Sequence, residues 1–237
     1  MKTIYLVACF TVLFVSCKND TTQVKEATQI KEATQENVTE LNKDLSEAEK
    51  IAYKNGFEHW KDVSQIDFTF NVDRLGRNVA QRSWSWKPKT NDVTMTVGDQ
   101  VTTYNRASLD SIPEGTDEGF INDKFWLLAP YQLVWDEGTN ITVQETAIAP
   151  ISQKQTKKLT IVYGNKGGYT PGDAYDFYYN EDYTVEEWVF RKSNASTPSM
   201  MTTFSDYKNF GGLNIATSHT DQLGDLTLYF TGIKVTK

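Results

Sequence analysis

The distribution of hydrophobic and polar residues divides this chain into three parts. An almost unbroken apolar run occupies residues 4–15. A polar segment follows to about residue 43, where Lys, Glu, Thr and Gln predominate and the pentapeptide KEATQ occurs twice. Beyond it, apolar residues recur with the periods of helices and strands as far as residue 237. Only this last part has enough apolar side chains to offset the chain entropy lost on folding.

The apolar run near the start is typical of an export signal. It is shorter than the roughly 20 apolar residues that span a bilayer, and Lys2 places a positive charge before it. The stretch Phe14-Val15-Ser16-Cys17 resembles a bacterial lipobox. We therefore predict a lipoprotein signal peptide at residues 1–16 and acyl chains such as palmitate on Cys17. The alternative is an ordinary secretory signal with a cysteine nearby by chance.

A lipidated Cys17 would tether everything that follows it to a membrane. One acyl chain binds reversibly, whereas two or more hold firmly. Residues 17–43 would then form a polar, flexible tether between the lipid and the folded domain. The sequence thus predicts an exported protein anchored to the outer membrane, on either its periplasmic or its cell-surface face.

The domain is predicted to span residues 44–237 and to begin with a helix at residues 44–55. Apolar residues recur in this segment at helical spacing. Ser46 or Asp44 can cap the start of the helix, and Asn55-Gly56 is a typical stop.

Long amphipathic strands are predicted to make up most of the domain. Between residues 66 and 72, large apolar residues alternate with polar ones, as in a strand with one buried face. Similar patterns predict about ten or eleven strands, mostly sequential along the chain, including one at residues 201–207. This order favours an antiparallel meander over a βαβ fold. A second helix is predicted at residues 117–130, where Pro130 ends it.

Aromatic residues mark the apolar face of the predicted sheet. Because side chains alternate along a strand, four of them are expected to point toward the two helices: Phe68, Phe70, Trp84 and Trp86. Further aromatic residues cluster around Phe125-Trp126 in the second helix. Such a cluster suits either core packing or the lid or rim of a ligand cavity.

The order of elements resembles that of the LolA/LolB-like lipoprotein carriers, over about residues 42–237. Phe-Thr-Phe at 68–70 and Ser-Trp-Ser-Trp at 83–86 occupy the places of that family's first two strands. The second half is similar to uncharacterised exported lipoproteins of the same fold. The resemblance implies a single-domain, curved antiparallel half-barrel with helices on its concave face and a hollow that holds acyl chains. From the pattern alone, a β-sandwich or a lipocalin-like barrel is the alternative.

The sequence contains little that indicates catalysis. The two cysteines are Cys9, inside the predicted signal, and Cys17, so the mature domain is expected to have no thiol for a disulfide, a metal or a nucleophile. His59 and His219 are the two histidines, and a structural or surface role is expected for both. Glu186 and Glu187 would point to opposite faces of a strand and cannot act as a pair. We therefore predict no enzyme activity, no metal and no cofactor.

Charge narrows the range of partners further. The chain has 24 basic and 31 acidic residues, a net charge of −7 at pH 7. This balance argues against a nucleic-acid partner and against electrostatic attachment to anionic lipid. The expected partners are the membrane, through Cys17, and a lipid or lipoprotein ligand.

The leading functional hypothesis is a membrane-anchored, non-catalytic lipoprotein that binds an acyl chain or other amphiphile in a hydrophobic hollow. The alternative is an envelope interaction or structural lipoprotein with a filled core and no ligand, and an exported hydrolase comes third. The candidate cavity residues are all aromatic: Phe68, Phe70, Trp84, Trp86, Phe125, Trp126 and Trp188.

Overall fold

A computed structural model describes residues 44–109, 112–166 and 169–237 of the chain. The predicted signal peptide, the anchor Cys17 and the tether up to residue 43 lie outside the described residues, so these remain predictions. In the described part, helices are few and antiparallel strands predominate.

The first helix, α1, spans Glu47–Lys54. Ser46 and Glu49 form a capping box at its start: the Ser46 backbone N–H donates to the Glu49 carboxylate at 2.8 Å, and the Glu49 N–H donates to the Ser46 hydroxyl at 3.3 Å. The predicted helix is confirmed, and Ser46 rather than Asp44 caps it. Gly56 ends this segment at φ +83°, where an added Cβ would lie 2.0 Å from the Gly212 carbonyl oxygen. Glycine is required here on both counts.

A short 3-10 helix, Phe57–Asp62, follows and brings aromatic residues onto the core. Trp60 packs against Trp86 at 5.6 Å and against Trp135 at 4.6 Å between ring centroids. The segment therefore belongs to the same apolar cluster as Ile51 of α1, Trp86 and Trp135.

The described residues after this turn are built largely from twelve strands. In chain order they are β1 Gln65–Arg74, β2 Arg77–Lys87, β3 Asp92–Val97, β4 Gln100–Asn105, β5 Asn140–Ile148, β6 Gln155–Val162, β7 Ala174–Tyr179, β8 Val185–Arg191, β9 Met200–Thr203, β10 Ser205–Phe210, β11 Leu213–Thr220 and β12 Leu226–Thr236. A second 3-10 turn, Lys192–Asn194, follows β8.

The strands form two open antiparallel sheets. One has seven strands in the order β10-β11-β12-β1-β2-β3-β4, and the other has five in the order β5-β6-β7-β8-β9. Every described pairing is antiparallel. The predicted fold class is confirmed: a single, mainly antiparallel β domain with few helices and unclosed sheets. The strand count is slightly higher than predicted, and the strands lie in two sheets.

The extra strand arises where one continuous strand, 201–207, was predicted, and that prediction is wrong. The chain leaves the five-stranded sheet after β9, turns at Phe204 and enters the seven-stranded sheet as β10. The Phe204 backbone N–H donates to the Glu186 carbonyl at 2.7 Å, while its buried ring packs 4.2 Å from the His219 ring. Contacts with two different sheets thus divide a segment whose local pattern is continuous.

The second helix, α2, spans Thr116–Trp135 and does not end at Pro130 as predicted. Proline has no N–H to donate to the carbonyl of Trp126, and its ring crowds that carbonyl, so the helix is kinked. The distortion appears at Leu128, with φ −124° and ψ 27°. The helix continues because the residues after the kink, including the buried Tyr131, still pack into the core.

The apolar face of the seven-stranded sheet lies against α2. Trp84 and Trp86 of β2 pack on Phe120 of α2, at 5.4 and 5.5 Å between ring centroids. Phe68 and Phe70 of β1 are buried on the same face and pack on Phe230 of β12. The predicted orientation toward a helix is confirmed for Trp84 and Trp86, and Phe68 and Phe70 are buried on the same face against a neighbouring strand.

Candidate functional site

An open cleft of about 960 Å³ lies where α2 meets both sheets. Strands β1, β2 and β12 contribute one wall, β7, β8 and β9 contribute another, and α2 crosses between them. Much of the lining is apolar, with residues Phe70, Val72, Ile121, Phe125, Trp126, Tyr175, Trp188, Phe190, Met200 and Leu228.

The structure divides the seven predicted cavity residues into two groups. Four of them line the cleft: Phe70, Phe125, Trp126 and Trp188. The other three, Phe68, Trp84 and Trp86, do not line it and are buried in the adjacent core. They share the sheet face of Phe70, but α2 and the neighbouring strands cover that part of the face. Whether the first four contact a ligand remains a prediction.

An aromatic wall formed by Phe125, Trp126, Tyr175, Trp188 and Phe190 borders the cleft. Phe125 packs on Tyr175 at 4.6 Å, and Trp126 packs on Trp188 at 4.3 Å between ring centroids. Tyr175 stacks on both Trp188 and Phe190. Because each ring is held by its neighbours, the wall is a packed and preorganised surface.

Arg82 is the polar residue that interrupts the apolar face of β2, and the structure gives its role. Its guanidinium donates two hydrogen bonds of 2.7 Å to the carboxylate of Asp123, a fully buried residue of α2. The Trp84 indole N–H donates to the same carboxylate at 2.8 Å. These bonds raise the pKa of Arg82 above its ordinary value. Arg82 and Asp123 therefore fasten the helix to the sheet as a neutral, bidentate pair.

A second ion pair lies near the start of α2. Arg106 donates to the buried carboxylate of Asp117 at 2.8 Å, and the hydroxyls of Tyr104 and Tyr169 donate to it at 3.0 Å each. Burial alone would raise the pKa of Asp117, but the bonds and charge of Arg106 outweigh it, so this pKa is lowered. Asp117 is thus ionised and neutralises Arg106.

Two lysines also line the cleft, the exposed Lys166 and Lys124, and the surroundings of Lys124 differ from those of the arginines. Its ammonium lies 5.6 Å from the centroid of the Trp86 ring and 5.8 Å from that of Trp135. Among the described residues, no carboxylate oxygen lies within 4.0 Å of it. Burial lowers the pKa of Lys124 to about 8, although the more distant carboxylates of Asp136 and Asp117 partly oppose this shift. Lys124 is therefore a largely desolvated cation held between two indole rings.

Asp136 follows α2 and lies on the same cleft. The Tyr163 hydroxyl donates a short hydrogen bond to it. With its amide oriented to suit both neighbours, Gln132 donates to Asp136 at 2.9 Å and accepts from the Lys124 ammonium at 3.3 Å. Burial raises the pKa of Asp136, although the Tyr163 bond and the Lys124 charge act in the opposite direction.

Sequence reasoning missed several residues of the cleft. Lys124, Arg106 and Asp136 were not singled out, nor were Tyr175 and Phe190 from the wall. One local signal was available for Lys124, which directly precedes Phe125-Trp126 in a mostly apolar helix. Charged side chains in such positions are rarely buried without a function or a partner.

The histidines lie outside this cleft. His219 is fully buried behind the aromatic wall, with its ring 5.4 Å from that of Trp126. Burial lowers the pKa of His219 to about 3, so the ring is neutral. His59 lies on the 3-10 helix with its side chain about half exposed, 3.7 Å from Glu58.

No helix among the described residues is both long and apolar enough to cross a membrane. No family model matches the sequence, and no curated protein matches it. Solved structures similar to this chain include the following two. A DUF1329 family protein from Desulfovibrio piger is 8% identical with a TM-score of 0.45, and the match covers 80% of this chain and 91% of that chain. A LolA superfamily protein from Nitrosomonas europaea is 10% identical with a TM-score of 0.46, covering 80% and 94%. At these identities and TM-scores, neither likeness bears on function.

Proposed function

We propose that this protein is a non-catalytic lipoprotein, exported and anchored through Cys17, that binds an acyl chain or another amphiphile in the cleft. The supporting observation is the cleft itself, an open space of about 960 Å³ bordered by a preformed aromatic wall. Ligand pockets typically have volumes of about 300–1,000 Å³, are mostly apolar and contain a few polar groups that orient the ligand.

The apolar lining supplies the affinity in this proposal. Each methylene that leaves water for such a surface contributes about 0.8 kcal/mol before the entropic costs of association. A single alkyl chain can lie along the rings of Phe125 and Tyr175 while its polar end remains near the charged residues of the cleft. This division between an apolar wall and a polar margin suits an amphiphile better than a sugar or a nucleotide.

The competing functions receive less support from the same geometry. A lipoprotein with a filled core needs no open cleft, whereas the aromatic residues here leave one. For a hydrolase with a serine or cysteine nucleophile, that residue and a histidine base should converge on the cleft. The lining residues that the structure describes include no serine, histidine or cysteine, and the buried neutral His219 packs among aromatic rings instead.

Binding can be tested by native mass spectrometry of the protein after gentle extraction. Copurified amphiphile is expected on the wild type and should be lost in Ile121→Glu, which places a carboxylate in the cleft. Ile148→Glu makes the same change at an exposed position of β5 and should retain the ligand. Absence of any bound amphiphile from the wild type, or equal loading of both variants, would contradict the proposal.

A further inference from the structure

We infer that the cleft selects single-chain amphiphiles with an anionic head group, and that Lys124 binds that group. The inference rests on the proposed function, because it names the class of amphiphile that the same cleft takes. Its starting point is the difference between Lys124 and the two arginines of the cleft.

Each arginine already has a carboxylate partner. Arg82 is paired with Asp123 at 2.7 Å, and Arg106 is paired with Asp117 at 2.8 Å. Both carboxylates are buried, so these pairs serve the attachment of α2 and are not free to bind an anion. Lys124 has no carboxylate oxygen within 4.0 Å among the described residues, and it lines the cleft.

An isolated ammonium in such surroundings favours an anionic ligand. Removing an ammonium from water is costly unless an opposite charge or several hydrogen bonds compensate it. The indole rings of Trp86 and Trp135 compensate Lys124 only in part, and Gln132 supplies one neutral acceptor. A carboxylate or phosphate oxygen would add the charge-assisted hydrogen bond that the protein itself does not supply.

The acidic residues on the cleft leave room for this anion. The Asp136 carboxylate already accepts hydrogen bonds from Tyr163 and Gln132, and burial favours its protonated form. Glu118 and Glu137 are exposed to solvent, where their charges are screened.

The position of Lys124 also favours an amphiphile over a small anion as the ligand of the cleft. Phe125, the next residue of α2, packs on Tyr175 at 4.6 Å and begins the aromatic wall. A head group on Lys124 would therefore place the attached alkyl chain beside this wall. Charge and apolar surface are adjacent in the site, as they are in the ligand.

Dodecanoate and dodecanol test the inference because they share an alkyl chain and differ in head-group charge. Each would be titrated by calorimetry, at pH 7 and below its aggregation limit, into the full chain carrying Cys17→Ala, so that no acyl anchor competes for the cleft. The same titrations would be run on Lys124→Met, which keeps the aliphatic stem, and on Lys154→Met, which changes an exposed turn.

The Cys17→Ala protein with Lys124 intact should bind dodecanoate at least tenfold more tightly than dodecanol. Lys124→Met should bind the two ligands within about threefold of each other, and Lys154→Met should keep the tenfold preference. If dodecanol binds but dodecanoate is not preferred, or if Lys124→Met keeps the preference, the head-group inference is refuted and the proposed function stands. If neither ligand binds, both are refuted.

The pH dependence of the dodecanoate preference, measured on the protein that retains Lys124, provides a second test in case Lys124→Met does not fold. The preference for dodecanoate should decline between pH 7 and pH 10, because Lys124 loses its charge with a pKa of about 8 in the empty cleft, and a bound anion would raise that value. The other charged groups that act on Lys124 are Asp136, Asp117 and Arg106. The pKa of Asp117 is lowered, so this carboxylate stays ionised over the whole range. A preference that is constant up to pH 10 would overturn the inference.

Discussion

Acidification should destabilise the folded domain through His219. The residue is fully buried, with its ring 4.2 Å from that of Phe204 and 5.4 Å from that of Trp126. Its Nδ1 lies 3.3 Å from the Thr203 carbonyl oxygen, and its Nε2 has no hydrogen-bond partner in the part of the chain that the structure describes. A charged imidazolium therefore cannot be solvated in the folded state.

The size of the effect follows from the two pKa values. In the unfolded chain the histidine titrates near 6.5, whereas burial lowers its pKa to about 3 in the folded protein. Between these values only the unfolded state binds the proton, so the stability is complete above pH 6.5 and is lost as the pH falls toward 3. One pKa unit corresponds to about 1.4 kcal/mol, and lowering the pH from 8 to 5 should remove about 2 kcal/mol of unfolding free energy.

Urea unfolding followed by tryptophan fluorescence at pH 8 and pH 5 measures this loss. His219→Asn removes the titrating group, so its stability should change about 2 kcal/mol less between the two pH values, whatever its absolute stability. His59→Asn is the matched control: that side chain is about half exposed, so the pH dependence of the wild type should persist. Equal pH dependence in His219→Asn and the wild type would refute the argument, because the loss would then come from other groups.

Two further substitutions test the attachment of α2 and the membrane anchor. Asp123→Ala should lower the unfolding free energy by about 3 kcal/mol, because it leaves the Arg82 charge without its buried partner. As a control, Lys54→Met breaks the more exposed pair with Asp182 and should cost about 1 kcal/mol or less. Equal losses of the two variants in urea unfolding would contradict the role of the Arg82–Asp123 pair in attaching α2. Cys17→Ala should move the protein from the membrane fraction to the soluble fraction on cell fractionation, and unchanged membrane partitioning would exclude lipidation of Cys17 as the anchor.

The amino-acid sequence by itself determined the features that depend on near neighbours. The first helix begins directly after Ser46 because the Ser46 hydroxyl and the Glu49 carboxylate lie one helical turn apart and form its capping box. The segment ends where Gly56 can adopt a positive φ. The alternation at residues 66–72 was sufficient to predict a strand with one buried face, and the sequential order of such strands favoured antiparallel pairing. These properties follow from backbone geometry within a few residues.

The tertiary structure alone decided where this apolar face is covered and where it remains open. Phe68 and Phe70 share a face of β1, yet only Phe70 lines the cleft, because α2 and strands distant in the sequence cover the rest. The helix continues through Pro130 for the same reason, since packing of the residues beyond it outweighs one missing hydrogen bond. The isolation of Lys124 is likewise invisible in the sequence, because it depends on Asp123 and Asp117 having paired with arginines from other strands and loops.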